Sequence, residues 1–520
     1  MSLTRRLVRN VASNWAGYIV QVAVAFFMTP YVIHTLGEAR YGIWTLVMGL
    51  TGYYGLLDLG IAYGITQYLT RCLAANDTEN LNRTASTGTV ALSYCGVLVF
   101  IISTVLALNV SEIFNIPHDT AKEAALVIVI TGASVAVQFG LMTYSAVFAA
   151  MQRFDLSNGI GIGTRIAALA STVWVLKLGY GLVGLSLVTA GINVLDYVIR
   201  WRVAARILPS MRISFRFATA QKFCELSKFG VWNAAIEGSA TLISYTDSIV
   251  IAAFMPVSAV APFAIAASLR NYFDEIFERV GWVVFPAATE LDVQDDQNGL
   301  RNLYLVSSRF MFLGSILCGS LAILWARDFF RLWLGLSFAE PAGYPSVAEL
   351  FYLLAFGSIV GVAQRIGYQV LLGRRQVGVL AALFAAEGAT NLILSIILIR
   401  RYGVVGVAVG TLVPALLFQG VFQPFIVCRS LQISLTGYWR EVLLRPLLVF
   451  LSILPALFAF LSTQRPDNWL TLFFLFSITF AVTAPLVLLV GLKKSERDLI
   501  SVRLTTEAQR FLSAVGLARN

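Results

Sequence analysis

Apolar residues run through this chain in long stretches, and nearly all the charge is gathered in the short clusters between them. The stretches show neither the alternation of a half-buried strand nor the narrow stripe of a soluble helix. A helix needs about 20 apolar residues to cross hydrocarbon roughly 30 Å thick. Segments of that kind are read near 11–35, 42–69, 86–108, 122–150, 156–176, 181–200, 228–254, 258–289, 303–325, 347–372, 377–399, 403–427, 442–462 and 469–491. The expected fold class is an all-α polytopic membrane protein with about 14 transmembrane helices. The first stretch follows Arg5, Arg6 and Arg9. It is too long for a signal-peptide core and lacks a small-residue cleavage site, so it reads as the first span.

Charge placement then gives an orientation. With the N-terminus in the cytoplasm and spans alternating, Lys and Arg on that side outnumber those on the other by about three to one, the bias that sets membrane topology. Both termini are therefore expected inside. Residues 493–520 form a polar, partly amphipathic cytoplasmic tail on the membrane face.

The longest soluble stretch, residues 206–227, is a basic cytoplasmic linker. It separates an N-terminal six-helix bundle (1–205) from a C-terminal one (228–430), followed by two extra helices (431–492). An internal repeat supports the division. Tyr180-Gly181-Leu-Val-Gly184 recurs as Tyr402-Gly403-Val-Val-Gly406, an offset of 222 that also sets Gln152-Arg153 on Arg374-Arg375 and Thr189 on Thr411. Such parallel repeats imply a pseudo-two-fold axis along the membrane normal and a central cavity.

Composition narrows the function. The chain is 58% hydrophobic and 13% charged with a mean hydropathy of +0.77, against about a quarter charged in soluble proteins. The net charge of +10 is explained by the inside bias, so nucleic acid is not the expected partner. Five scattered cysteines and two histidines give no metal site and no catalytic set. No GxxxxGK[ST] is present, and Gly159-Ile-Gly161-Ile-Gly163 does not follow a strand, which argues against a nucleotide site. The protein is expected not to be an enzyme.

Charges inside spans are expensive and default to function. The cations are Arg165, Arg270, Arg279 and Arg365, with Gln21 as a polar residue in the first span. They are the candidate substrate-binding residues of the cavity. The acids Asp58, Glu237, Asp247, Asp274, Glu278 and Glu387 are candidates for coupling to H⁺ or Na⁺. The eighth span holds the densest set. Arg270, Asp274 and Glu278 recur every four residues beside the pair Glu275–Arg279, making one polar face on an otherwise apolar helix. That face lines a wet cavity or forms a self-neutralised network. Arg165 and Glu387 stand at the repeat offset and could pair across the pseudo-axis. The pairs Gly60/Gly64, Gly159/Gly163 and Gly406/Gly410 read as close helix packing.

Three short motifs carry a resemblance. Leu36-Gly-Glu-Ala-Arg-Tyr41-Gly42-Ile-Trp44 follows the first span, Gly55-Leu-Leu-Asp58-Leu-Gly60 lies in the second, and Phe285-Pro286-Ala287 ends the eighth. In this order within a fourteen-span frame, the chain resembles bacterial polysaccharide transporters, the O-antigen and exopolysaccharide flippases of the multidrug/oligosaccharidyl-lipid/polysaccharide superfamily. The resemblance implies two six-helix bundles plus two helices in the bacterial inner membrane. It implies movement of polyprenyl-diphosphate-linked oligosaccharide to the periplasmic leaflet, with Arg270 the best-placed cavity arginine. Membrane lipids, a polysaccharide polymerase and chain-length regulators are the implied partners, and no bound cofactor is needed. A cation-coupled drug antiporter of the same superfamily and a membrane glycan polymerase or ligase are the alternatives. The buried arginines count against the first, and the lack of a large catalytic outer loop counts against the second.

Overall fold

A computed structural model describes residues 3–444, 446–448, 451 and 465–492. Among these the chain is helical, with no strand. The first half contains α1 (Leu3–Leu36), α2 (Glu38–Tyr54), α3 (Ile61–Ala75), α4 (Thr78–Leu108), the short α5 (Val110–Ile113), α6 (His118–Ala150), α7 (Phe154–Lys177) and α8 (Gly181–Ile207). The second half contains α9 (Ala220–Phe254), α10 (Val260–Gly281), α11 (Val284–Val293), α12 (Gln297–Leu334), the short α13 (Leu336–Ala339), α14 (Val347–Val362), α15 (Gln364–Gly373), α16 (Val377–Pro414), α17 (Gln423–Ser430) and α18 (Leu435–Tyr438). The helix α19 spans Trp469–Gly491.

Thirteen of the fourteen apolar segments coincide with a helix or a helix pair. The segment 442–462 and the tail 493–520 lie largely or wholly outside the described residues. Length and apolarity alone select fewer spans than fourteen. Eight helices qualify, or up to ten when bent pairs count as single spans. The shortfall has physical causes. Charges such as Glu237, Asp247 and Arg270 lower the apolarity of α9 and α10. The helices of 377–399 and 403–427 merge into one run, Val377–Ser430, whose break is the non-helical Gly403.

Two apolar helix pairs are bent at a short break. The pair α2/α3 bends by 50° and α14/α15 by 43°. At the first bend the Asp58 carboxylate accepts from the Gly60 N–H at 2.6 Å. At the second, Gln423 Nε2 donates to the Gln364 carbonyl at 2.8 Å. A backbone group freed by a break cannot turn to water in hydrocarbon, so a side chain must answer it.

The turns also carry the repeat. Asn76, Gln152, Asp295, Arg375 and Gln432 adopt left-handed backbone with φ of 54–59°. Each closes a helix by paired N–H bonds to carbonyls three and five residues back, as in Asp77 N to Cys72 O and Asp296 N to Leu291 O. These are Schellman caps with a polar residue where glycine is usual. The next helices α4 and α12 start on Asp77 and Asp296, whose side chains accept from Asn80 N and Gly299 N at 3.0 and 2.8 Å. Asp77 ionises below the usual carboxylate range because it accepts these Asn80 bonds. Gly181 and Gly403 share a φ of 58°. The same construction thus recurs through both halves.

The repeat register is not uniform. The caps at Gln152 and Arg375, and the starts of α7 at Phe154 and α16 at Val377, stand 223 apart, whereas the glycines 181 and 403 stand 222 apart. The turn before Gly403 is one residue shorter. Inside these helices, therefore, Thr164 is the counterpart of Glu387, not Arg165.

By packing, the chain forms two units that do not follow the linker. The first comprises Met1–Tyr272, Glu340–Leu350 and Val377–Pro414, and the second Phe273–Ala339, Phe351–Gln376 and Ala415–Asn520. Within the first, the glycines of the second span lie against α9. A Cβ on Gly230 would stand 2.3 Å from the Gly60 carbonyl oxygen, and one on Gly64 would stand 2.9 Å from the Leu226 carbonyl oxygen. Within the second, Arg309 is 1% exposed on α12. Its guanidinium donates to the Glu441 carbonyl at 2.9 Å and the Glu441 carboxylate at 3.0 Å.

Gly230→Val should fold poorly, because backbone rather than a movable side chain meets the new carbons. Overpacking typically costs about 1–3 kcal/mol. A monodisperse size-exclusion profile with an unchanged melting temperature would contradict this packing.

Candidate functional site

Polar residues inside the spans gather in three places. The first surrounds Asp247, which is 3% exposed on α9. The Thr411 hydroxyl donates to its Oδ2 at 2.6 Å and the Ser395 hydroxyl to its Oδ1 at 3.3 Å. Asn391 Nδ2 donates to Thr411 Oγ1 at 3.1 Å, while Asn391 Oδ1 is buried without a hydrogen-bond partner among the described residues. The Arg270 guanidinium, half-buried on α10, acts electrostatically on Asp247. One carboxylate, two hydroxyls and a spare amide oxygen thus converge from α9 and the two halves of α16. They form a buried hydrogen-bonded cluster around one carboxylate. Among the described residues no three His, Cys, Asp or Glu side chains cluster as metal ligands, so the site carries a low charge.

The second place lies on the C-terminal half of α10. Asp274 is buried, accepts from the Ser358 hydroxyl at 3.2 Å and faces Arg365 Nη2 at 3.8 Å. Arg365 Nη1 also faces Glu278 at 3.9 Å, and Arg279 faces Glu275 at 3.7 Å. Arg365 comes from α15, just beyond the bend at Gln364. These ion pairs along the stripe stand at 3.7–3.9 Å, at the loose end of ion-pair distances.

The third is in the first half. Arg165 Nη1 donates to the Gly17 carbonyl at 3.0 Å and Nη2 to Gln21 Oε1 at 2.9 Å. These bonds join α7 to α1. The adjacent residue Thr164 donates to Asp196 at 3.0 Å, and Arg200 Nη1 donates to the Ser157 hydroxyl at 2.7 Å.

The proposed sites thus separate. Arg270 joins Asp247; Arg365 joins Asp274 and Glu278; Gln21 joins Arg165. Asp58 caps its own turn at Gly60. Glu237 lies on an exposed face of α9 and Glu387 is buried on α16. Ser395, Thr411, Asn391 and Ser358 escaped the search for charges. Asn391 and Ser395 stand at i, i+4 in a strongly apolar helix, a pattern that marks one polar face.

Residues 7–292, more than half of the chain, match the family model described as polysaccharide biosynthesis protein. The chain belongs to that family. Like other members it is a multi-pass membrane protein. It is 20% identical over 452 residues to the uncharacterized membrane protein EpsK of Bacillus subtilis (strain 168), covering 84% of this chain and 85% of that protein. It is 21% identical over 427 residues to a putative O-antigen transporter of Shigella flexneri, covering 80% and 97%. Its fold is that of the lipid II flippase MurJ in an inward closed conformation, with a TM-score of 0.70 at 12% identity over 95% of this chain and 100% of MurJ. The resemblance read from the motifs is thus carried by the family, and the fold is shared with MurJ.

Within this family member the α1–α7 joint should depend on Arg165. Arg165→Leu removes two charge-assisted hydrogen bonds, each contributing about 1.5–3 kcal/mol. The thermal midpoint in detergent should fall by several degrees, and Arg165→Lys should recover only part of it. An Arg165→Leu midpoint equal to the parent's would show that the joint is held by other contacts.

Proposed function

We propose that the protein is a flippase for polyprenyl-diphosphate-linked oligosaccharide, moving it from the cytoplasmic to the periplasmic leaflet of the bacterial inner membrane, and is not an enzyme. Both termini are cytoplasmic in this reading. The observation that carries it is the placement of Arg270, Arg279 and Arg365 with acids along α10 and α15 inside a chain of this family and fold.

The physical task fits those groups. The lipid tail stays in hydrocarbon while a diphosphate and several sugars cross it. Moving that head group unaided would cost many kcal/mol. Arginines whose carboxylate partners stand near 4 Å can exchange those partners for phosphate oxygens, since guanidinium matches phosphate in a two-pronged geometry. Alternating exposure of such a cavity to the two faces then removes most of the barrier.

Coupling is assigned to Asp247. A single buried carboxylate with hydroxyl and amide oxygens suits H⁺ or Na⁺ as co-transported cargo. The electrostatic influence of Arg270 on Asp247 would let ion occupancy alter how firmly Arg270 is held, and so link the ion to the head group. No resident cofactor enters this reading, and a polymerase and chain-length regulators would act on the product.

Depletion of the protein should raise lipid-linked oligosaccharide on the inner leaflet while surface polysaccharide falls, and Arg270→Ala at normal expression should do the same. Precursor that reaches the outer leaflet but stays unpolymerised would instead favour a polymerase or ligase. No change in either pool would favour drug antiport.

Asp247→Asn should preserve the fold, because the shape is unchanged, one of the Thr411 and Ser395 hydroxyls keeps an acceptor oxygen, and the other can turn to accept from the new amide N–H. Transport in reconstituted vesicles should then lose its dependence on an imposed ion gradient. Full retention of that dependence would remove Asp247 from the coupling path.

A further inference from the structure

The segment between α8 and α9 is tied down by its backbone. The Arg212 N–H donates to Asn82 Oδ1 at 2.6 Å, the Ser214 N–H to Ser86 Oγ at 3.1 Å, and the Thr219 N–H to Thr87 Oγ1 at 3.1 Å. The three acceptors lie on two successive turns of α4, Asn82 on one and Ser86 and Thr87 on the next. An extended strap is thus laid across the start of that helix.

The depth of the strap follows from α4 itself. Residues 78–86 are polar, and from Gly88 the helix is apolar to Leu108. Ser86 to Leu108 spans about 33 Å at 1.5 Å per residue, close to the hydrocarbon thickness of roughly 30 Å. Asn82, Ser86 and Thr87 therefore sit where hydrocarbon meets head groups, and the strap lies at that level.

What the strap displays there is specific. Phe215 is 83% exposed, with Arg212 and Arg216 exposed on either side of it in sequence, and Phe217 is also exposed. Arg202 and Arg206 are exposed at the end of α8, and Trp201 lies beside them with the Arg202 guanidinium over its ring. Among the described residues, none of Arg202, Arg206, Arg212 and Arg216 has a carboxylate within ion-pair distance. The only acid from 201 to 228 is Glu225, and it is engaged by Lys222 at 2.8 Å. In water this would be an exposed aromatic with unneutralised cations. At an interface, aromatic rings and arginines are favoured together.

We propose that residues 201–217 form a docking surface for anionic phospholipid head groups in the leaflet on the N-terminal side of the membrane. Phe215 and Phe217 enter the interface, while Arg212 and Arg216 take the phosphate oxygens. The assignment of that leaflet as cytoplasmic rests on the orientation given above, but the surface does not rest on the cargo. Because the strap bridges the two halves of the repeat while bonded to the first, the lipid fixes the level of α4 against the bilayer surface.

Depth measurement tests this directly. In the full chain with Cys72, Cys95, Cys224, Cys318 and Cys428 replaced, a nitroxide is attached at Phe215→Cys. The protein is placed in nanodiscs of phosphatidylcholine alone or with phosphatidylglycerol. The label should prefer oxygen to a water-soluble nickel relaxer, and more strongly with phosphatidylglycerol. Native mass spectrometry from mixed lipid should show phosphatidylglycerol retained, and Arg212→Gln/Arg216→Gln should weaken retention by about five-fold per arginine, from roughly 1 kcal/mol each. A label in water in both lipids overturns the proposal. So does retention unaffected by the double variant. A label that moves only when polyprenyl diphosphate is added also overturns it, because the strap would then belong to the cargo path. The double variant should melt with the parent in phosphatidylcholine alone; an earlier midpoint there makes these arginines supports of the fold and ends the proposal. None of these readouts measures transport, so failure of the flippase reading leaves them intact.

Discussion

Every polar group in this fold is shaped by one constraint: inside hydrocarbon, no water is available to satisfy it. Continuous helices meet the constraint for the backbone. Where a helix stops within a span, a side chain must take over, as Asp58 does for Gly60 and Gln423 does for Gln364. The same rule explains why Arg309, nearly fully buried, holds both the carbonyl and the carboxylate of Glu441. Polar residues in the spans therefore come in complementary sets, and a charge in the sequence implies unseen partners on other helices. Some sets are loosely or incompletely filled among the described residues, such as Arg365 near 4 Å from two carboxylates and the buried Asn391 amide oxygen.

The fold was largely legible because the signal is simple. Long apolar stretches and a biased charge distribution require no knowledge of contacts, and they located the helices of the described residues closely. The broken spans at Asp58 and Gln364 were not legible, since glycine or glutamine in an apolar run does not reveal how a freed carbonyl will be answered. The site was legible only in its charges. Asp247 could be named from its cost in hydrocarbon, but Thr411 and Ser395 could not, because hydroxyls also bond their own helix at i−4, as Thr411 does with Val407. The burial of Arg309 has no signature in the sequence either, and appears only once Glu441 is folded against it.

The repeat was visible as a five-residue match, and its full extent appears in the caps. Polar residues in left-handed backbone end the even-numbered spans on one face, and aspartates restart the helices after two of them. A left-handed non-glycine residue costs about 1–2 kcal/mol. Five such turns in equivalent places are a consistent construction, and they identify equivalent depths in the two halves better than the side chains do.

With depths fixed in that way, the difference between the halves becomes informative. Helix α1 contains no acidic residue, and its interior polar group is the neutral Gln21, bound to a cation, Arg165. Its counterpart α9 carries Asp247, bound to the hydroxyls of Ser395 and Thr411. The corresponding positions in the first half, Thr172 and Thr189, keep their hydroxyls. Hydroxyls thus stand at both positions in each half, whereas Asn391 answers to Ala168, and the charged residues differ between the halves. One residue fewer in the turn before Gly403 then rotates α16 relative to α7, so that Glu387 occupies the position of Thr164. The first half therefore sets a cation against a neutral amide and the second sets an anion against hydroxyls, so the two halves of one construction hold opposite charges on neutral partners.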